Sequence, residues 1–410
     1  MTQNRNFRGL IWHAFWLALA QTFAEKNVVL PGLILFAGGT QVQVGILTSI
    51  MIGVPLVTQI FFASYLTNKT FKKKFLLLGI YFRVFAFLGV GISIFFLRLF
   101  TPGVFIAIIF LWMALFALSG AFAGISYTDI IGKSFDRTQR KKFFVTRQFL
   151  SSGGILISAV IVDRILSRMT YPTNYQTAFL TAAALLFIAS IGFVYLKEKP
   201  SDILKKYQGF ADVFKSIPGE IRRNSNLKYF IVIANLLGLT FVLIPFYLGF
   251  IRTNYSITPA IIGRFLTVQI VGMILSNFLW RNVVKSLSFK GMLNITVILL
   301  SALPLLALAL SSRDSLVPYY GLFFIAGAAL SAQKIALSGV LIEITNETNR
   351  PLYTGIFGTF NVTSAIIPVL LGFAFVRLGY PVIFIALSLL TLSSLVIIKK
   401  MVCPVDLERV

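Results

Sequence analysis

Hydrophobic positions in this chain come in long blocks, not in the alternation of a half-buried strand or the one-sided stripe of a surface helix. Windows such as Phe75–Leu97, Val104–Ile131 and Ile366–Val376 hold few or no charges. Apolar runs of about 18 residues or more read as membrane spans. Interruptions by Gly, Pro and charge place helices near 9–37, 42–67, 74–99, 102–131, 143–168 and 173–196. A second series follows near 227–251, 259–281, 289–311, 316–343, 351–377 and 380–400. Between the two series, 197–226 is polar, rich in Lys, Arg and Asp, with Pro200 and Pro218. The pattern predicts an all-α integral membrane protein of twelve transmembrane helices. They form an N-terminal six-helix bundle (1–196), a linker (197–226) and a pseudo-symmetric C-terminal six-helix bundle (227–410).

Composition supports lipid as the main solvent. The chain is 57% hydrophobic and only 12% charged, half the charged share of an ordinary soluble domain, which is roughly a quarter. Its net charge of +24 would suggest nucleic acid if the cations lay on a soluble surface. Here they lie between the spans. Placing the amino terminus in the cytoplasm puts Lys69, Lys72, Lys73, Lys74, Lys133, Arg137, Arg140, Lys141, Lys142, the linker, Arg281, Lys285, Lys290 and Arg350 on the inner side, as the positive-inside rule requires. Both termini are then cytoplasmic, the membrane is a bacterial inner (cell) membrane, and the expected partners are lipid and a small solute rather than nucleic acid. Arg5 and Arg8 precede a first apolar stretch too long for a signal-peptide core, which is read as a retained helix.

Little in the chain suits bond-making chemistry. Cys403 is the only cysteine and His13 the only histidine, so no metal site or cofactor is expected. His13 is expected at headgroup level or in packing. Gly132-Lys133-Ser134 resembles the end of a phosphate-binding loop, but Tyr127 stands where that loop needs glycine and a membrane helix precedes it.

Two six-helix halves around a basic cytoplasmic linker resemble the major facilitator superfamily, as a divergent prokaryotic-type member. That family's signature after its second helix, G-x-x-x-D-R/K-x-G-R-R/K-R/K, falls on Ala63 to Lys73. Lys72 and Lys73 agree, whereas Ala63, Thr67 and Thr70 replace the first Gly, the Asp and the second Gly. Thr70-Phe71-Lys72 is echoed by Ser288-Phe289-Lys290, and Arg140-Lys-Lys-Phe143 by Arg350-Pro-Leu-Tyr353, at matching places in the two halves. The resemblance implies a monomeric transporter whose helices 1, 4, 7 and 10 line a central cavity.

A charge at mid-bilayer costs about 2.5–3.5 kcal/mol on insertion scales and is a functional candidate by default. Glu25 and Lys26 in helix 1, Arg83 in helix 3 and Lys334 in helix 10 meet that criterion. Glu25 is read either as a proton carrier or as a structural partner of Lys26, Arg83 or Lys334. Pro31 and Gly32 are expected to distort helix 1 beside it. Three central cations against one acid point to an anionic group on the solute. Gln21, Gln59, Asn235, Gln269, Gln333 and Asn361 complete a candidate polar lining, though such amides commonly tie membrane helices together. Lys72, Lys73, Asp129, Asp136, Arg140, Arg147, Glu343 and Arg350 are gating candidates near the cytoplasmic ends of the helices. Gly120-x-x-x-Gly124 and Gly327-x-x-x-Ser331 read as small faces for close helix contact.

The expected function is secondary transport of a small organic solute by alternating access, with a co-transported proton as a candidate driver and no catalytic residues. A multidrug or sugar-type exporter is the alternative within transport. A membrane-embedded enzyme or a receptor is the alternative outside it.

Overall fold

A computed structural model describes residues 2–67, 69–200, 210–345, 353, 356–358, 360–361 and 363–402. Among the described residues the regular elements are all helical. In hydrocarbon no water satisfies backbone N–H and C=O groups, so an apolar segment closes them on itself. The elements are α1 (Thr2–Thr22), α2 (Val29–Phe36), α3 (Gln41–Thr67), α4 (Lys73–Phe95), α5 (Pro102–Ser134), α6 (Arg137–Arg168), α7 (Thr173–Val194), α8 (Phe210–Arg223), α9 (Ser225–Phe241), α10 (Tyr247–Arg252), α11 (Pro259–Leu310), α12 (Val317–Glu343) and α13 (Thr363–Lys399).

Nine stretches among the described residues are long and apolar enough to cross a membrane. Two of them, of 52 and 36 residues, exceed the roughly 20 residues that one crossing needs. Each turns sharply at a single residue: Ser288 (φ 66°, ψ 179°) in α11 and Gly379 (φ 73°, ψ 168°) in α13. The first turn revises an expected boundary, because 282–287 continues the helix where sequence suggested a loop. Arg281 to Leu287 holds no glycine or proline, so nothing stops the ladder before Ser288. The linker also departs from expectation, since α8 lies within it. Pro218 sits inside that helix, and Ile217 packs with Leu227, Tyr353 and Ile356.

The chain forms two compact units. The first comprises 1–43, 50–207 and 258–267, and the second 44–49, 208–257 and 268–410. In the first, α4 packs on α5 and α7, and α1 on α6 and α7. Glycine permits the closest of these approaches: a Cβ on Gly9 would overlap the Gly192 carbonyl, and one on Gly192 the Gly9 carbonyl, so the backbones of α1 and α7 touch. In the second unit, a Cβ on Gly272 would overlap the Phe324 carbonyl and one on Gly327 the Gln269 carbonyl, which fixes α11 against α12. Lipid gives no hydrophobic drive for helix association, so such close contacts carry much of the packing.

Both sharp turns use backbone angles that side chains resist, and such strain costs on the order of 1–3 kcal/mol. The two sites should therefore respond oppositely. Ser288→Gly is expected to raise the midpoint of thermal unfolding in detergent and Gly379→Ala to lower it. The same sign for both would contradict this account.

Candidate functional site

Helix 1 is broken. Residues 23–28 leave the helix between α1 and α2, three residues before Pro31. Pro31 itself lies in the first turn of α2, where its missing N–H costs nothing. The break is organised by Glu25. Its carboxylate accepts hydrogen bonds from the backbone N–H of Asn27 (2.8 Å) and of Val28 (2.8 Å) and from the Asn27 side-chain amide (2.7 Å). Its carbonyl accepts from Leu30 N–H at 3.0 Å. A carboxylate thus supplies the cap that the start of α2 lacks. The Glu25 carboxylate accepts three hydrogen bonds, all from N–H groups of its own loop. Lys26 follows it, half-buried, within Coulombic range.

Arg83, on α4, is buried, only 8% exposed. Its guanidinium lies over the Phe116 ring at 4.2 Å, and its Nε has no hydrogen-bond partner. Arg147, one of the gating candidates, sits over the Tyr127 ring at 5.4 Å. The Tyr127 hydroxyl is itself buried without a partner. His13 is buried rather than at headgroup level, with its ring 4.1 Å from Phe193 and 5.7 Å from Tyr127.

At one end of the first unit the charges compensate. Lys72 and Lys133 each meet Asp129 at 2.7 Å, and Lys133 also meets Glu198 at 2.7 Å. The Glu198 carboxylate further accepts the backbone N–H groups of Lys72 and Lys73, both at 2.7 Å, and so caps α4 with the charge a helix N-terminus favours. Lys73 Nζ donates to the Val194 and Leu196 carbonyls at the end of α7 (2.9 and 2.8 Å). Asn6 completes the knot, accepting from Lys197 N–H (2.9 Å) and donating to the Lys197 carbonyl (2.8 Å). The family signature has an Asp where this chain has Thr67, and Glu198, from the other end of the bundle's sequence, supplies a carboxylate here. Sequence reading missed Glu198 because it lies among Lys197 and Lys199 and looks like a solvated loop charge. Asp136 is an N-cap for α6, accepting from Gln139 N–H at 2.8 Å.

The remaining candidates are scattered. Gln21, Gln59 and Lys334 are exposed, while Gln333 and Glu343 are half-buried. Asn235 donates to the Ile231 and Phe360 carbonyls (2.8 and 2.9 Å), a tie of the ordinary kind. Asn361 accepts from Ser364. Gln269 is buried with its Oε1 unpartnered. Arg350 and the Arg140 side chain lie outside the described residues. Helix 7 is interrupted as helix 1 is: α9 and α10 are joined through a 3-10 turn at Ile244–Phe246.

Because Asp129 and Glu198 share Lys133, their contributions are coupled. Asp129→Asn and Glu198→Gln are each expected to lower the thermal midpoint. The double variant should lose less than the sum, with a coupling of about 0.5 kcal/mol or more. Strict additivity would show that the knot is not a unit.

Residues 229–404 match the family model described as Major Facilitator Superfamily. Among solved structures, the chain is similar to a POT family transporter in complex with 5-aminolevulinic acid, with a TM-score of 0.71 and 13% identity, covering 97% of this chain and 96% of that one. It is also similar to a mutant form of the nucleoside transporter NupG (TM-score 0.68, 13% identity, 98% and 100% covered). A third similar structure is a bacterial homologue of the human lysosomal transporter Spinster (TM-score 0.62, 13% identity, 98% and 95% covered). No curated protein sequence matches the chain. The second half of the chain thus matches the Major Facilitator Superfamily model, and along nearly its whole length the chain shares the fold of these solved transporters.

Proposed function

We propose that the chain is a secondary active transporter that moves a small organic solute by alternating access, driven by protons, and that the solute is anionic. Its twelve spans form two six-helix halves, 1–196 and 227–410, joined by 197–226. It works as a monomer in a bacterial inner membrane with both termini in the cytoplasm. The observation that carries the reading is the break in helix 1 at Glu25 and Lys26. Transporters place solute and ion sites where spanning helices are discontinuous, because freed backbone groups and charges there face a cavity instead of lipid. The interruption at Ile244–Phe246 in helix 7 gives the second half a matching hinge point.

Proton coupling follows from what Glu25 does. As a carboxylate it accepts three N–H groups. As a carboxylic acid it carries a donor of its own on one oxygen, and the cap on α2 loosens. Proton uptake would thereby change the geometry of the break. The similar structures named above include proteins that handle 5-aminolevulinic acid and nucleosides, which supports a small polar solute. The excess of central cations, Lys26 and Arg83 beside the single acid Glu25, favours one bearing negative charge.

The test is uptake into proteoliposomes of purified protein, using amino-acid-like acids, dipeptides, nucleosides, sugars and amphipathic dyes under an imposed pH gradient. Wild type is expected to accumulate a solute only with the gradient. Glu25→Gln should cut gradient-driven accumulation by about tenfold or more, the value of one charged hydrogen bond, while solute exchange at equal pH persists. Accumulation that ignores the gradient would remove the proton from the mechanism. Chemical conversion of a solute would revive the enzyme alternative.

A further inference from the structure

On the Gly120-x-x-x-Gly124 face of α5 no backbone of a neighbouring helix comes close: Gly124 is open and Gly120 faces the Arg83 side chain of α4. A Cβ on Gly124 would meet no atom within 4 Å, and the atoms nearest to one on Gly120 are those of Arg83, at 3.5 Å for Nε and 3.7 Å for Cζ. The corresponding glycine of the second unit behaves differently, with Gly327 pressed on the Gln269 carbonyl. Phe116, Gly120, Gly124 and Tyr127 follow one another at four, four and three residues, so they share one face of the helix. That face is open at Gly124, which is exposed, and closed at Phe116, which is buried. The glycines therefore leave a recess with Arg83 at its deep end.

What lines the recess is of one sign. Arg83 is more than nine-tenths buried, pairs with no carboxylate among the described residues, and has an unpartnered Nε. Tyr127 adds a buried hydroxyl without a partner, and Arg147 lies over its ring. His13 is within Coulombic range of both arginines. A buried guanidinium is costly unless something pairs with it. The Phe116 ring recovers only part of that cost, because its face attracts the cation without neutralising it. An anion entering along the glycine wall would supply the rest.

We propose that this recess of the first unit is a carboxylate site, in which the Arg83 fork binds the acid group of an organic solute and the Tyr127 hydroxyl donates a further hydrogen bond. The planar fork matches a carboxylate through two parallel N–H contacts. The solute's body lies on Gly120 and Gly124 against Phe116 and Tyr127, so a flat or aromatic acid fits best. Arg147 adds charge at the entrance without touching the acid group. The proposal rests on the transport reading above and deepens it by naming the recognised group and the residues that recognise it.

The experiment is a thermal-shift and calorimetric titration of the purified protein with benzoate, cinnamate, phenyl phosphate and benzyl alcohol. Benzoate and cinnamate should stabilise the wild type, and benzyl alcohol should not. Arg83→Gln should weaken carboxylate binding by about tenfold or more. Because that change also removes a buried charge and alters stability by itself, Gly124→Leu is the second variant. Its side chain enters open space, so the fold should persist while the recess is filled and binding is lost. Equal stabilisation of wild type and both variants, a response to phenyl phosphate alone, or no response to any carboxylate would overturn the site. Arg83-dependent binding without any flux would leave the site and remove the transport reading. Undiminished gradient-driven flux of a carboxylate in Arg83→Gln would do the reverse.

Discussion

The Glu25 carboxylate closing on the N–H groups of Asn27 and Val28 is the contact on which the candidate site depends. In hydrocarbon an interrupted helix exposes backbone donors that cost several kcal/mol each when unmet. A chain can leave the α conformation at mid-membrane only where another group takes those donors. Glu25 does this from within the loop, so these two donors need no help from a neighbouring helix.

The first unit handles its other charges in two opposite ways. At the end that carries Glu198, two carboxylates and two ammonium groups pair within 2.7 Å, and Glu198 also caps α4. Each of these four charges has a protein partner, and the result is rigidity. In the recess beside α5, guanidinium groups meet aromatic faces instead of carboxylates. Cation–π contact stabilises a cation without neutralising it, so the site keeps a positive potential for a ligand to satisfy. The first arrangement ties its elements together by neutralised charges, and the second leaves guanidinium charge that the aromatic faces do not neutralise.

Much of the helical layout was legible because the lipid imposes it: length and charge-free composition define a span almost without regard to tertiary context. The charged candidates Glu25 and Arg83 were legible for the same reason, as exceptions to that rule. Their partners were not. Proline and glycine marked the distortion of helix 1 a few residues late, since the break is set by which carboxylate can reach which N–H, a matter of loop geometry. Glu198 was invisible because one acid among lysines in a polar stretch has the same sequence appearance whether solvated or clamped on α4. The extension of helical structure to Leu287 was hidden by charges at 281 and 285, which signal the membrane boundary and not the end of the helix.

The two small-residue motifs show most clearly where sequence stops. Gly120-x-x-x-Gly124 and Gly327-x-x-x-Ser331 are alike in composition, yet Gly120 faces the Arg83 side chain and Gly124 open space, whereas Gly327 presses on a backbone carbonyl. A small residue states only that something comes near or that something is missing, and the neighbouring helix decides which. In the second unit Gln269 is the neighbour of Gly327, and the bend in helix 7 is lined by buried Ile244, Pro245 and Phe246. The corresponding places in the first unit hold Arg83 and Glu25. Both units thus interrupt a helix, but with different chemistry: the first places the charged Glu25 and Lys26 at its break, and the second turns through apolar residues.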